Sequence, residues 1–111
     1  MKHKVVKLIP TDISLEIFIG KKKDIVKKLK KYKGKKKSYW KDMVGNSSCA
    51  VGMPDHIYMF LLDTDIQTIV HEAVHATWHL DDIVDFGFDS HNQEIQAYYV
   101  DYIVGKVMKM K

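Results

Sequence analysis

Hydrophobic and polar residues alternate along the first twenty positions of the chain. Two stretches, residues 5–9 and 13–19, are rich in aliphatic and β-branched residues, and Gly20 ends the second of them. A repeat of two residues is typical of a strand with one buried face. The pattern therefore predicts a strand, or two strand pieces separated at Pro10, because proline is excluded from the middle of a central strand.

The repeat changes to that of a helix over residues 22–33. Apolar residues recur there three and four positions apart among lysines: Ile25, Val26, Leu29 and Tyr32. This spacing predicts a short amphipathic helix that ends at Gly34. Residues 35–42 follow neither repeat, and we expect a solvated loop or a strand edge that carries Tyr39 and Trp40.

The second half of the chain predicts two strands and two helices. Residues 47–62 favour two short strands that turn at residues 53–55. Thr64 and Gln67 have the spacing of a capping box, which predicts a helix that ends between Leu80 and Phe86. Its apolar side would contain Ile66, Ile69, Val70, Ala73, Val74, Thr77 and Trp78.

A second capping box, residues 90–93, predicts a final helix that runs to about Met108. The predicted order is β-α-β-β-α-α. In 111 residues this order predicts one α+β domain, in which a small β-sheet packs on the last two helices.

The candidate chemistry lies in residues 71–75, which read His-Glu-Ala-Val-His. On a helix, His71 and His75 stand one turn apart on the same face, so two imidazoles can bind one Zn²⁺. Glu72 lies beside them, where a carboxylate can take a proton from metal-bound water. This pattern predicts a metal-dependent hydrolase.

Two ligands do not complete such a site, because catalytic zinc usually has three protein ligands and keeps one position for water. Glu94 is the favoured third ligand, since it follows His75 by nineteen residues in the first turn of the next predicted helix. His91 and the Asp residues between 81 and 89 are the alternatives. His79 lies roughly 12 Å along the helix from His71, too far to share the ion.

Other residues are candidates for supporting roles around the metal. We expect His79 to cap a helix end or to meet an acid among residues 81–85. Tyr98, one turn after Glu94, is a candidate transition-state donor, as are Tyr99 and His91, although aromatic core packing is the commoner role of a tyrosine. Three acids are candidates to orient a ligand imidazole: Asp82, Asp85 and Asp101.

Residues 68–104 resemble the gluzincin group of zinc metallopeptidases, in which His-Glu-x-x-His is joined to a Glu on the following helix. Small metallopeptidases of phages and prophages look similar over most of this length. The resemblance implies a minimal zincin-like domain with His71, His75 and Glu94 as zinc ligands and Glu72 as the general base. It also implies that residues 56–62 form the edge strand that aligns a peptide or protein substrate.

Charge divides the chain into two parts. Residues 1–41, the predicted Lys-rich β-α front, carry fifteen Lys against three acids, whereas residues 42–111 carry three Lys against eleven acids. Residues 21–41 alone contain twelve Lys, together with Tyr32, Tyr39 and Trp40. These residues favour either a solvated face or weak, non-specific binding of nucleic acid. The absence of Arg argues against base-specific recognition.

Cysteine and hydropathy suggest the compartment. A single cysteine, Cys49, excludes an internal disulfide and a thiolate zinc cage, and it has no accompanying base that would make it a nucleophile. Apolar runs are too short to span a bilayer. We therefore expect a cytoplasmic protein without a membrane partner, and the resemblance implies that a phage encodes it in a bacterial host.

Two function classes remain. The favoured one is a zinc metallopeptidase. The alternative is a non-enzymatic zincin scaffold that binds nucleic acid or a protein partner, including another copy, through its Lys-rich front. SprT-like proteases combine the two properties and complete their site with a third His, which here would be His91.

Overall fold

The computed structural model describes all 111 residues as four strands and four helices. In chain order these are β1 (Lys2–Lys7), β2 (Ser14–Ile19), α1 (Lys22–Lys33), α2 (Lys37–Val44), β3 (Cys49–Gly52), β4 (His56–Leu61), α3 (Ile66–Val84) and α4 (Gln93–Met110). The α+β class is confirmed. The first twenty residues form two strands, and α2 is an additional helix. None of the helices combines the length and apolar character needed to cross a bilayer.

The strands form one mixed sheet in the order β1-β2-β4-β3. β2 and β4 pair in parallel, and β1 and β3 add antiparallel at the two edges. β4 is therefore an interior strand, and the prediction that residues 56–62 form the substrate-aligning edge is wrong. The edge strand on this side of the sheet is β3, which packs against α3.

The side chains of β2 and β4 alternate between two hydrophobic cores, as the repeat of two requires. Leu15, Ile17, Met59 and Leu61 belong to the larger core, which includes the buried faces of α3 and α4. The intervening aromatic residues Phe18, Tyr58 and Phe60 belong to a smaller core that includes α1 and α2. The sheet is thus covered by one helix pair on each face.

Residues 37–44 form helix α2, so the prediction of a loop or strand edge at residues 35–42 is wrong. Trp40 is 4% exposed and donates its indole N–H to the carbonyl oxygen of Gly34 over 2.7 Å. Only Trp40 and Val44 are buried in this helix. Two apolar anchors among lysines are too few to produce a recognisable helical repeat.

The helix ends follow the predicted boundaries but use different chemistry. α1 ends at Lys33 before Gly34, and α3 ends at Val84. Neither predicted capping box forms, because Asp65 and Asn92 occupy the N-cap positions and no side chain caps either helix. Instead, Asn92 Oδ1 accepts hydrogen bonds from the Asp89 N–H and the Gln96 side chain.

Candidate metal centre

Helix α3 orients the two histidines by its packing on the sheet. Its buried residues include Ile69, Ala73, Ala76 and Leu80, which recur at helical spacing and face the larger core. His71 and His75 fall on the opposite, exposed face of the same helix. The core therefore fixes the backbone of α3, while both imidazoles remain accessible to solvent and to an ion.

The imidazoles converge on one point. The Nε2 atoms of His71 and His75 lie 3.2 Å apart, and the ring planes are inclined at 72°. Two Zn–N bonds of about 2.0–2.1 Å at a tetrahedral angle would separate their nitrogens by about 3.3 Å. The observed separation suits a shared ion, and it equally suits an N–H···N hydrogen bond between two neutral rings.

Glu72 supplies the third potential ligand atom of the cluster. Ligand atoms of His71, Glu72 and His75 all lie within 4.8 Å of one another. Glu72 is only 6% exposed although it is acidic. A nearly buried carboxylate beside two imidazoles suits either binding a cation or exchanging a proton with bound water.

An open polar groove borders this cluster. It encloses about 430 Å³ and has no hydrophobic lining residue; its walls are Ser47, Ser48, Asp63, Gln67, Thr68, His71 and Glu72. The groove lies between the residues that precede β3 and the first turns of α3. Sequence reasoning missed this wall, and the only signal for it is the polar run of residues 45–48.

Cys49, at the start of β3, is electrostatically coupled to the cluster. Burial raises the pKa of the Cys49 thiol, and the negative charge of Glu72 raises this pKa further. The thiol donates a hydrogen bond to the carbonyl oxygen of Val44 over 3.4 Å. A raised pKa disfavours the thiolate, which agrees with the expectation that Cys49 is not a nucleophile.

His79 fixes α3 to the edge strand. Its Nε2 atom hydrogen-bonds the carbonyl oxygen of Ala50 in β3 over 3.1 Å, so the prediction of a helix cap or an acidic partner is wrong. Its ring also occupies the space above Gly52, where an added Cβ would lie 2.9 Å from Nδ1. The acid that helps to terminate α3 is Asp81, which accepts hydrogen bonds from two backbone N–H groups.

The candidate third ligands stand outside the cluster. Glu94 is exposed in the first turn of α4 and takes part in none of the ion pairs of the chain. His91 is exposed in the preceding loop, where its backbone N–H donates to Asp89. Neither residue belongs to the group of converging ligand atoms. The identity of the third ligand therefore stays a prediction.

The tyrosines of α4 divide into core and surface residues. Tyr99 is buried, and this burial raises the pKa of its phenol. Tyr98 is half exposed and stacks on Tyr102 with the ring centroids 6.0 Å apart. Tyr99 thus has the core role considered for it, whereas the role of Tyr98 as a transition-state donor stays a prediction, as do the roles of Asp82, Asp85 and Asp101.

No protein-family model, curated protein or solved structure matches this chain. What the structure shows is the cluster of His71, Glu72 and His75 as a possible metal-binding group.

Proposed function

We propose that this protein is a zinc-dependent hydrolase that cleaves peptide bonds. The observation that supports this proposal is the convergence of two imidazole nitrogens, 3.2 Å apart, beside a nearly buried carboxylate and an open polar groove. A purely structural histidine pair would need neither the carboxylate nor the groove. The two imidazoles match the nitrogen ligands that zinc takes in hydrolases, and the nearly buried carboxylate beside them suits a proton acceptor for zinc-bound water.

In the proposed site His71 and His75 bind the ion through Nε2, and Glu94 supplies the third ligand. A zinc ion held there would polarise a substrate carbonyl and bring the pKa of a bound water close to neutrality. Glu94 is a suitable third ligand because it is acidic, exposed and free of ion pairs. His91 is the second choice, on the same hairpin and equally exposed.

Glu72 is the proposed general base. It would accept a proton from the attacking water and deliver it to the leaving amine, which requires a carboxylate close to both ligand imidazoles. Because the side chain is held in the wall of the groove, it needs little reorganisation to reach a water molecule there. A peptide substrate would approach through the groove, next to the edge strand β3.

The test separates binding of zinc from chemistry. Glu72→Gln keeps the size of the side chain and removes its basicity, so we expect about one zinc per chain and a loss of peptidase activity of at least 100-fold. Activity is measured on an unfolded protein substrate such as casein, and zinc by elemental analysis. Glu16→Gln, an acid on the other face of the sheet, is the matched control and should keep both properties.

Two outcomes would contradict the proposal. Peptidase activity that survives Glu72→Gln would show that Glu72 is not the general base. If the zinc-loaded wild-type protein hydrolyses neither casein nor a peptide library, the protein binds metal but does not catalyse this reaction.

A further inference from the structure

A second surface has an unusual concentration of charge. It lies on the opposite side of the sheet from the cluster of His71, Glu72 and His75. Residues 21–44 contain twelve Lys against Asp24 and Asp42. These residues form α1 and α2, whose apolar side chains are buried in the smaller core. Most of the lysines of these helices consequently project into solvent, whereas Lys33 turns back to pair with Glu16 on β2.

Lysines line three adjoining depressions on the surface of α1. A groove of about 480 Å³ between α1 and α2 is lined by Lys23, Asp24, Val26, Lys27, Lys30 and Lys37. A second depression of about 390 Å³ shares Asp24 and Lys27 with the first, and a third of about 370 Å³ shares Lys28 and Tyr32 with the second. We call these three adjoining depressions the lysine track.

Two aromatic rings stand beside the lysines. Tyr32, within the track, is 67% exposed, and the ammonium groups of Lys28 and Lys31 lie 5.7 and 5.5 Å from its ring centroid. Tyr39 on α2 is 40% exposed, with Lys35 5.7 Å from its ring centroid. An aromatic face next to ammonium groups is the arrangement that stacks a base and neutralises the adjoining phosphate.

We propose that the lysine track binds single-stranded nucleic acid without sequence preference. This proposal is independent of the metal centre. The lysines supply phosphate contacts, and Tyr32 and Tyr39 supply stacking faces for unpaired bases, which a duplex would not present. Lysine is a point charge and not a bidentate fork, and the chain has no Arg, so base-specific contacts are not expected.

An anionic membrane is a less suitable partner. Interfacial helices insert an apolar face between lipids. The apolar residues of α1 that could do so, Ile25, Val26 and Leu29, are buried against the sheet. The surface therefore offers a membrane charge and two exposed tyrosines but no apolar helix face, whereas it offers a nucleic acid both charge and stacking faces.

The experiment measures the affinity of the full chain for a fluorescent 20-nucleotide oligo(dT) over a range of salt concentrations. The test variant replaces four exposed lysines of the track with Gln: Lys23, Lys27, Lys30 and Lys37. The matched control replaces four exposed lysines elsewhere: Lys2, Lys4, Lys109 and Lys111. The logarithm of the binding constant decreases with the logarithm of the salt concentration. We expect the magnitude of this slope to be smaller by about 2–3 in the test variant, as for four lost phosphate contacts, and by less than 1 in the control.

A second arm tests stacking. We expect Tyr32→Ser to weaken oligo(dT) binding about tenfold and to leave binding to heparin, a polyanion without bases, unchanged. Circular dichroism checks that each variant folds. Three outcomes would each overturn the proposal. The first is an equal loss of oligo(dT) affinity in the track and control variants, and the second is a wild type that binds heparin as tightly as oligo(dT) with no effect of Tyr32→Ser on either. The third is binding to phosphatidylserine vesicles but not to oligo(dT). A dimer that dissociates with salt, in a protein that does not bind oligo(dT), would also overturn the proposal. It would show that the lysine track binds the acidic part of a second copy.

Discussion

At the scale of single residues, the two histidines and the buried Glu72 are the part of the site that the sequence predicts best. Their spacing of four on a helix dictates that the imidazoles share a face, and the structure places their Nε2 atoms 3.2 Å apart. A third ligand cannot be derived in the same way, because its position depends on how α4 packs beside α3. Spacing along the chain does not determine that packing.

The third ligand can be identified by matched alanine variants. If Glu94 binds the ion, Glu94→Ala should weaken zinc binding by 10-fold or more, whereas His91→Ala should leave the affinity unchanged within about threefold. The affinity is measured by competition with a chromophoric chelator. The opposite ranking would show that His91 is the third ligand. The site would then have three histidine ligands, as in SprT-like proteases.

A second residue-scale prediction concerns Glu16, whose carboxylate on β2 is 7% exposed. Burial acts to raise its pKa, but hydrogen bonds and charges from Lys33 and His3 outweigh burial and hold the pKa below the ordinary value of 4.5. A carboxyl whose pKa is lowered by folding stabilises the folded state above the unfolded-state pKa. That stability is lost as the pH falls through the lower, folded-state pKa.

We therefore expect the free energy of unfolding to fall as the pH is lowered from about 5 towards 3, and part of this fall to depend on Glu16. Urea unfolding at several pH values measures the effect. Glu16→Gln should be less stable than wild type at pH 7, and the difference should shrink below about pH 4. A difference that stays constant between pH 7 and pH 3 would show that the ionisation of Glu16 makes no contribution.

At the scale of helices and strands, the sequence predicts elements with long or strongly periodic patterns and misses those with few anchors. α1, α3 and α4 and the four strands all correspond to predicted segments. α2 was missed because only Trp40 and Val44 are buried in it. The interior position of β4 was missed for a different reason, since strand order arises from the parallel pairing of β2 with β4 across 36 residues of intervening chain and leaves no local pattern.

The contact between α3 and the edge strand is a testable feature at this scale. An added Cβ at Gly52 would meet the His79 ring at 2.9 Å, so we expect Gly52→Ala to destabilise the fold by about 1–3 kcal/mol. In the His79→Ala background the same change should be nearly neutral, because the ring is absent. Urea unfolding of the four proteins in this double-mutant cycle measures the coupling. Equal effects of Gly52→Ala in both backgrounds would contradict the contact.

At the scale of the whole molecule, the sheet separates two surfaces of different chemistry. α1 and α2 cover one face and carry the lysine track. α3 and α4 cover the other face, and α3 carries the cluster of His71, Glu72 and His75. The uneven distribution of charge along the sequence predicts this contrast, since residues 1–41 are basic and residues 42–111 are acidic. Only the three-dimensional arrangement shows that the two surfaces lie on opposite faces of the sheet.

The central claim is that His71 and His75 bind one zinc ion together. The most direct test is the zinc content of untagged protein, measured by elemental analysis after exposure to zinc and removal of the excess. We expect about one zinc per chain for wild type and for His56→Ala, a control whose imidazole pairs with Asp55 and is not part of the ligand group, and less than about 0.1 for His71→Ala and for His75→Ala. A folded wild-type protein that retains no zinc, or a zinc content unchanged in both ligand variants, would contradict the claim.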